Sequence, residues 1–502
     1  MRASVCWSAR AEPAVPWHRA AAARLSARAR QCLPRAASPE GASAATAVTD
    51  GGDSSSAAEA GAPSSSAAPP PPPLELSISL ASGMQHVGQE EWDACATGGG
   101  ETNPFLLHDF LSVLEESGSA VKEEGWLPQH VLVRRGDTGE LLGCAPCYLK
   151  AHSYGEYVFD QSWGSAYQRM LRQPYYPKLL VGVPFTPVPG PRLLVKPGPH
   201  AAAVRRAMAG SLQQVADQLG VSSLHINFCT RAEWEELGSQ FGYLQRLGLQ
   251  YHWYNTQDVT QSMLASVGAS LDSLDEAAEG AALGAAPCYS SFDGEDGSFL
   301  MALRQPKRKS IRQERKKAAQ EGLRFLRLTG ADLQPKHWDS FYRFYRNTTD
   351  RKWGQPYLTK DFFIRLGERM ADRVLLVLAE TAEGAHGEGK PIAGALNLIG
   401  SDALFGRNWG SIYGDRMPFL HFELCYYQAL EFAIERGLRR VEAGAQGEHK
   451  LQRGYVPSLT YSLHYMTNPG FSSVVDRFLD QERKEIEYTL RMLQQEASPY
   501  KL

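Results

Sequence analysis

The chain has no run of about twenty uninterrupted apolar residues, so no segment offers a membrane-crossing helix. Cysteine is scarce, eight in 502 residues, and only Cys144 and Cys147 form a C-x-x-C. A four-ligand zinc site needs a second such pair at a recognisable spacing, and none follows. The pair falls in a strand pattern, where positions i and i+3 point to opposite faces. It reads as two reduced, buried thiols, and no metal site is expected. A positive balance is missing too: 52 Lys and Arg stand against 55 Asp and Glu. Without residues 1–40, which carry seven arginines and two glutamates, the balance is 45 against 53, a net charge of −8. A protein that coats nucleic acid would carry the opposite sign.

The first forty residues have a different bias. Residues 1–39 contain no lysine and one acid, Glu12, yet hold Arg2, Arg10, Arg19, Arg24, Arg28, Arg30 and Arg35 among Ala and Ser. This is the composition of an organelle transit peptide, and the apolar centre of a secretory signal is absent. Residues 41–73 are Ala, Ser, Gly and Pro, ending in Pro69 to Pro73, and read as a disordered or extended linker.

From residue 74 one pattern occurs twice. QHVLVRRGDTGELLGCAPCYLK predicts two strands around a turn at Gly136–Gly139, with a third at 155–160. A helix at 200–219 and strands at 221–228 and 249–255 complete this half. The second half offers strands at 373–380, 391–400 and 403–410, a helix over 418–436, and strands at 438–444 and 459–466. The order matches an α/β unit with a mixed, largely antiparallel sheet and helices on its faces. Between the halves, 258–298 is acidic and rich in Ala, Gly and Ser, and most of it reads as a mobile insert. The run RQPKRKSIRQERKK (304–317) has eight Lys and Arg against one Glu and reads as a helix with a local cationic face.

The richest stretch is 418–466. Phe422, Tyr426, Ala429, Ala433 and Ile434 put an apolar stripe on one helical face, and Gly437 sits where a left-handed cap would end the helix. The following strand releases Gln446, Glu448, His449, Lys450 and Arg453. A carboxylate, an imidazole, an ammonium and a guanidinium close to two glycines make a poor turn and a plausible site.

HSYGEYVFD (152–160), YYPKLLVGVPFTPVPGPRLL (175–194), QYHW (250–253), RKSIRQERKKA (308–318) and GAQGEHKLQRGYVP (444–457) together resemble the FemAB-like N-acyltransferases of peptidoglycan biosynthesis/recognition type. The resemblance spans roughly 75–255 and 290–490. It implies two tandem acyltransferase lobes of the GNAT type, at 74–257 and 299–502, and a plastid stroma as the leader's destination, with the mitochondrion as the alternative. It also implies a co-substrate in place of a permanently bound cofactor: acyl-CoA, preferred here, or aminoacyl-tRNA. The acceptor is a small-molecule or peptide amine. The GNAT pyrophosphate loop, Q/R-x-x-G-x-G/A, is not found at 406–418, where the chain reads GRNWGSIYGDRMP.

Amine acylation needs a base for the amine, a polarised carbonyl and an acid for the leaving group. Glu448 and His449 are the first candidates for the base, with Glu423 and His421 as the second pair. Tyr455 or Tyr461 is the candidate acid. Lys450, Arg453 and Arg407 are candidates to hold an anionic donor or substrate, and Gln446 a substrate contact. In the first half, Lys150, His152, Tyr154, Glu156, Tyr157 and Asp160 form a polar-aromatic strip expected to face the same cleft. The competing reading is a binding module without turnover.

Overall fold

The computed structural model describes residues 74–98, 100, 102–258, 287–320, 322–352, 355–381, 389–413, 417–444, 447–496 and 498–501. The leader, most of the acidic insert and Gln446 lie outside these. The first half runs β1 (Leu76–Ala81), α1 (Gln89–Ala96), α2 (His108–Glu116), β2 (Trp126–Pro128), β3 (His130–Arg135), β4 (Leu141–Ala145), β5 (Cys147–Lys150) and α3 (Gln161–Leu171). It continues through β6 (Lys178–Val181), β7 (Leu194–Val195), α4 (Ala201–Leu219), β8 (Ser223–Cys229), α5 (Arg231–Phe241) and β9 (Leu244–Tyr254). The second half has α6 (Gln305–Gln320), β10 (Leu323–Leu328), α7 (Pro335–Lys352), α8 (Lys360–Arg369), β11 (Val374–Thr381), β12 (Pro391–Ile399) and β13 (Ala403–Ser411). A helix α9 follows, built of Leu420–Phe422, a π turn Glu423–Tyr427 and Gln428–Glu435, then β14 (Arg440–Glu442), β15 (Val456–Met466) and α10 (Pro469–Glu496).

The expected class holds: each half carries antiparallel strands that run into one parallel pair. These pairs are β6 with β8, over Leu179–Val181, and β13 with β14, over Ala403–Phe405. Among the described residues the strands form a four-stranded sheet, β1-β3-β4-β7, and an eleven-stranded sheet, β10-β11-β12-β13-β14-β9-β15-β8-β6-β5-β2. The centre of the larger sheet is an exchange. β9, from the first half, pairs with β14 of the second, while β15, from the second, lies between β9 and β8.

Sequence accounts for much of this. All of Val374–Glu380 is buried, and Val374–Ala379 is an unbroken apolar run covered on both faces. On α4, Val204, Met208, Leu212, Val215 and Leu219 recur at helical spacing and are buried, and Gly220 closes it with φ 65°. Gly437 closes α9 in the same way, also at φ 65°. One core joins the halves directly: the Phe105 and Phe405 rings meet edge to face at 5.3 Å, and Phe110 meets Phe362 at 6.0 Å.

Three expectations need correction. Residues 155–160 are not a strand: Gly155 and Tyr157 have φ of 77° and 60°, and the loop folds inward so that Glu156 and Asp160 reach a buried lysine. Residues 287–298 are not a mobile insert, because Tyr289 and Phe292 are buried against Trp253 and Phe299. The segment leaves and re-enters at one place, where the Gln257 amide donates to the Pro287 carbonyl at 3.1 Å. Cys144 and Cys147 lie on two different strands, β4 and β5, and both are buried free thiols.

Candidate active site

The parallel pair of β13 and β14 ends at Phe405 and Glu442. Beyond it β13 continues with β12 alone, through a bulge between Leu396 and Asn397 in which Arg407 is the extra residue. The chain after Glu442 leaves the sheet and turns through Gly447 into the short helix Glu448–Arg453. Gly447 has no substitute there, since its φ is 105° and a Cβ would collide with the His449 ring.

Opposite this loop, the π turn of α9 advances an aromatic group. The His421 ring meets Trp409 at 5.1 Å, Tyr426 at 5.5 Å and His449 at 6.4 Å. Tyr426 Oη lies 3.0 Å from His449 Nε2, and its ring packs on Tyr455 at 5.6 Å. The structure therefore brings His421 and His449 together around Tyr426. Partial burial, then the charges of Arg453 and Lys450, hold the His449 imidazole below its ordinary range, so its neutral form is favoured. Tyr455 is fully buried, and its hydroxyl has no hydrogen-bond partner among the described residues. Tyr461 is buried in the sheet. The side chain of Glu448 lies outside what is described.

Glu423 does not join this group. It is buried, its oxygens accept from Arg315 of α6 at 2.9–3.2 Å, and one also accepts from Gln428 at 2.7 Å. The basic run of α6 thus spends one cation inside the fold. Two of the expected anion holders are similarly engaged. Lys450 is buried and donates to the carbonyls of Ala443 and Gly444 at 2.6 and 2.7 Å, and burial lowers its ammonium to about 8. Arg453 donates to Glu314 and to the His449 carbonyl, each at 2.8 Å, and lies 3.4 Å from the Phe422 ring centre. These bonds fix the loop that carries His449.

The first-half strip divides instead of facing one cleft. Lys150 is buried with its ammonium 3.3 Å from the Trp126 ring centre, and burial pushes it well below the ordinary lysine range. Burial also lowers His152 to about 4, and Tyr154 is 58% exposed. Glu156 and Asp160 flank the buried Lys178 ammonium at 2.7 and 2.5 Å, and Tyr175 donates to Asp160 at 3.0 Å. Only Tyr157 turns toward the second half, where its hydroxyl lies 3.0 Å from that of Tyr357. The strip's residues alternate in type, but the loop backbone does not alternate in direction.

A buried polar row on the central strands escaped the sequence reading. Gln250 and His252 of β9 are two apart and share a face, and β14 sets Glu442 opposite His252. Gln250 donates to the Pro187 carbonyl at 2.8 Å, its Oε1 lies 3.3 Å from His252 Nε2, and that nitrogen lies 3.8 Å from Glu442 Oε2. Arg440 donates to the other Glu442 oxygen at 3.0 Å, while Oε2 has no hydrogen-bond partner among the described residues. Such an orphaned buried oxygen at the end of a parallel pair is a place for water or a ligand group. Among the described residues, no cluster of three or more His, Cys, Asp or Glu is placed to hold a metal ion, and no helix is long and apolar enough to cross a membrane.

Residues 83–265 and 286–502 match the FemAB-like family model, described as peptidoglycan biosynthesis/recognition. The chain belongs to the FemAB-like family. Among solved structures it is similar to FemX, at 12% identity and a TM-score of 0.46, over 78% of this chain and 99% of that one. It is also similar to a tandem GNAT protein from the clavulanic acid biosynthesis pathway, at 11% identity and a TM-score of 0.38, over 79% and 99% of the two chains. A third is L-PGS from Bacillus licheniformis, at 11% identity and a TM-score of 0.40, over 73% and 95%. No curated protein sequence matches the chain.

Proposed function

We propose that the protein is a transferase that moves an acyl or aminoacyl group from an activated donor to an amine. The observation that carries this reading is the parting of β13 and β14 after three paired residues, beside a loop that presents a neutral imidazole, in a chain of the FemAB-like family. His449 takes the proton of the attacking amine while the new C–N bond forms and the carbonyl oxygen becomes negative. Collapse breaks the bond to the leaving group, which takes up a proton. Tyr426, buried like Tyr455 but with its hydroxyl already on His449 Nε2, is better placed to pass that proton than Tyr455, whose hydroxyl has no hydrogen-bond partner among the described residues. Glu448 is the assisting carboxylate. An acyl thioester such as acyl-CoA is the first donor to test.

The full chain is incubated with acyl-CoA donors and an amine mixture, and free thiol is measured; a parallel assay follows deacylation of aminoacyl-tRNA. Amine-dependent release from either donor supports the transferase reading and names the donor. Silence with both, alongside tight binding of an amine ligand, supports a binding module. That second reading has its own observation: Lys450, Arg453 and Glu423 are all engaged in internal bonds. We also propose that the leader directs the protein to a plastid. A fusion of residues 1–73 to a fluorescent protein that remained cytosolic would end that proposal.

A further inference from the structure

Arg407 of the candidate site donates to the Phe185 carbonyl, as Lys450 does to two others, and so serves the fold. The chemistry that the transferase reading leaves unused is a pair of thiols in the first half. Cys95 lies in the last turn of α1, and Cys144 near the end of β4. Trp92, Cys95 and Ala96, at helical spacing, form the buried face of α1. In the pairing of β3 with β4, Leu142 is an extra residue, and this bulge sets Leu141 and Cys144 on one face of the four-stranded sheet. Arg134, opposite Leu141 on that face, holds Glu91 of α1 at 2.6 and 2.8 Å, so α1 covers it.

The two sulfurs meet between helix and sheet. The Cys144 thiol donates a hydrogen bond to the Cys95 sulfur, which also accepts from the main-chain N–H of Lys196, just past β7. The Lys196 side chain is exposed and paired with Glu140, so the buried Cys95 lies directly beneath a surface residue. The bond from Cys144, then the N–H and charge of Lys196, hold the Cys95 thiol below its ordinary range against the effect of burial. Burial, and then that same bond, push Cys144 well above it. The thiolate therefore forms on Cys95, while Cys144 keeps its proton. Cys147 and Cys229 are also buried, and burial pushes both of them up.

We propose that Cys95 and Cys144 are a redox modification site, at which a peroxide converts the pair to a disulfide that fastens α1 to the sheet. The Cys95 thiolate attacks the peroxide: an S–O bond forms, the O–O bond breaks, and the departing hydroxide takes the thiol's proton to become water. The Cys144 sulfur then displaces the oxygen of the Cys95 sulfenic acid. The S–S bond forms, the S–O bond breaks, and the Cys144 proton leaves with that oxygen as a second water. Two electrons pass from the two sulfurs to the peroxide, and a dithiol reductant reverses the change. The bridge also reaches the second half, because Asp93 of α1 accepts from the His108 N–H at the start of α2, whose Phe110 packs on Phe362. This inference is independent of the transferase reading.

The test is a peptide map of the full chain after treatment with hydrogen peroxide and alkylation in denaturant. The expected product is a cross-linked Cys95–Cys144 peptide, lighter by two hydrogens than the separate pair and lost on treatment with dithiothreitol. It should form about tenfold faster than any oxidation of Cys147 or Cys229. In Cys144→Ser, Cys95 should stop at the sulfenic acid and take up dimedone, whereas in Cys95→Ser the Cys144 thiol should remain free for alkylation. The melting temperature should rise on oxidation of the unaltered protein and in neither variant. Should a variant fail to fold, the map of the unaltered protein decides alone. Oxidation of Cys147 or Cys229 as fast as the pair, a cross-link formed only in denaturant, or Cys95 oxidised to the sulfinic acid with Cys144 still free would each overturn the proposal.

Discussion

His225 and His464 meet nitrogen to nitrogen, Nδ1 to Nδ1 at 2.7 Å, across the β8–β15 pair where the two halves of the chain interlock. One proton serves that bond, so the two rings cannot both be charged without setting like charges face to face. Burial first, then the nearby Lys178 and Arg246 charges and for His464 also His225, hold both well below the ordinary histidine value of 6.5. The unfolded chain therefore takes up protons, as the pH falls through about 6.5, that the folded chain refuses. Stability is full above that value and declines below it, by about 1.4 kcal/mol per pH unit for each histidine that protonates only on unfolding. Denaturant midpoints from pH 8 to 5 should show the decline, and His225→Asn with His464→Asn should flatten it. An equally steep profile in the double variant would assign the acid sensitivity elsewhere.

Lys178 and Glu156 are unequal partners. Lys178 bonds two carboxylates and Ser153 from full burial, so Lys178→Met leaves buried charges without their cation and should cost about 3–5 kcal/mol. Glu156 Oε1 has no partner among the described residues, and burial lifts the carboxyl to about 7 against the pull of Lys178. Its folded value lies above the ordinary one, so its contribution is full below about 4.5 and is lost as pH rises through about 7. Glu156→Gln should therefore stay within about 1 kcal/mol of the unaltered protein at pH 7 and lessen the decline between about pH 4.5 and 7. A loss as large as that of Lys178→Met would contradict this.

Glu423 and His449 should separate stability from turnover. Glu423→Gln loosens the Arg315 pair, whose guanidinium is partly exposed, and should cost about 1–3 kcal/mol with turnover per folded molecule nearly unchanged. His449→Ala and Glu448→Gln should each lower turnover by about 10²–10⁴ with the melting temperature within a few degrees. Reversed behaviour would move the search for the base to Glu423.

The insert has a sharp tolerated edge. Removing 259–286 joins two points already bridged by the Gln257–Pro287 bond, so the melting temperature should barely change. Extending the deletion through 292 removes Tyr289 and Phe292 from the core and should cost about 3–5 kcal/mol for each ring. Equal melting temperatures for the two deletions would show that the rings contribute little.

Elements with a strong period were legible. β8, β11, β12, β13 and α4 follow from unbroken apolar runs or helical spacing. α10 was missed although Phe471, Val475, Leu479, Ile486 and Leu490 lie at helical intervals, because charged residues fill the rest of it. Which strand lies beside which has no local signature, so the β9–β15 exchange was invisible. At the site, the loop around His449 announced itself by its mixture of charges. Gln250 and His252 stood in a string quoted only for its resemblance; that alternate strand positions share a face was the available signal. Lys178 looked like an ordinary strand-end lysine, since its two carboxylates approach from an irregular loop.

The exchange of β9 and β15 has a consequence for how the protein is made. Leu244 waits for His464, and Tyr251 for Pro457, more than two hundred residues later in synthesis. While the ribosome is still working, the first half displays the open edges of β8 and β9, and it must be kept from pairing with strangers until β15 has been made. A premature stop anywhere before residue 456 therefore damages the beginning of the protein as well as its end. Two fragments cut within the insert remain complementary, because each still owns the strand that the other lacks.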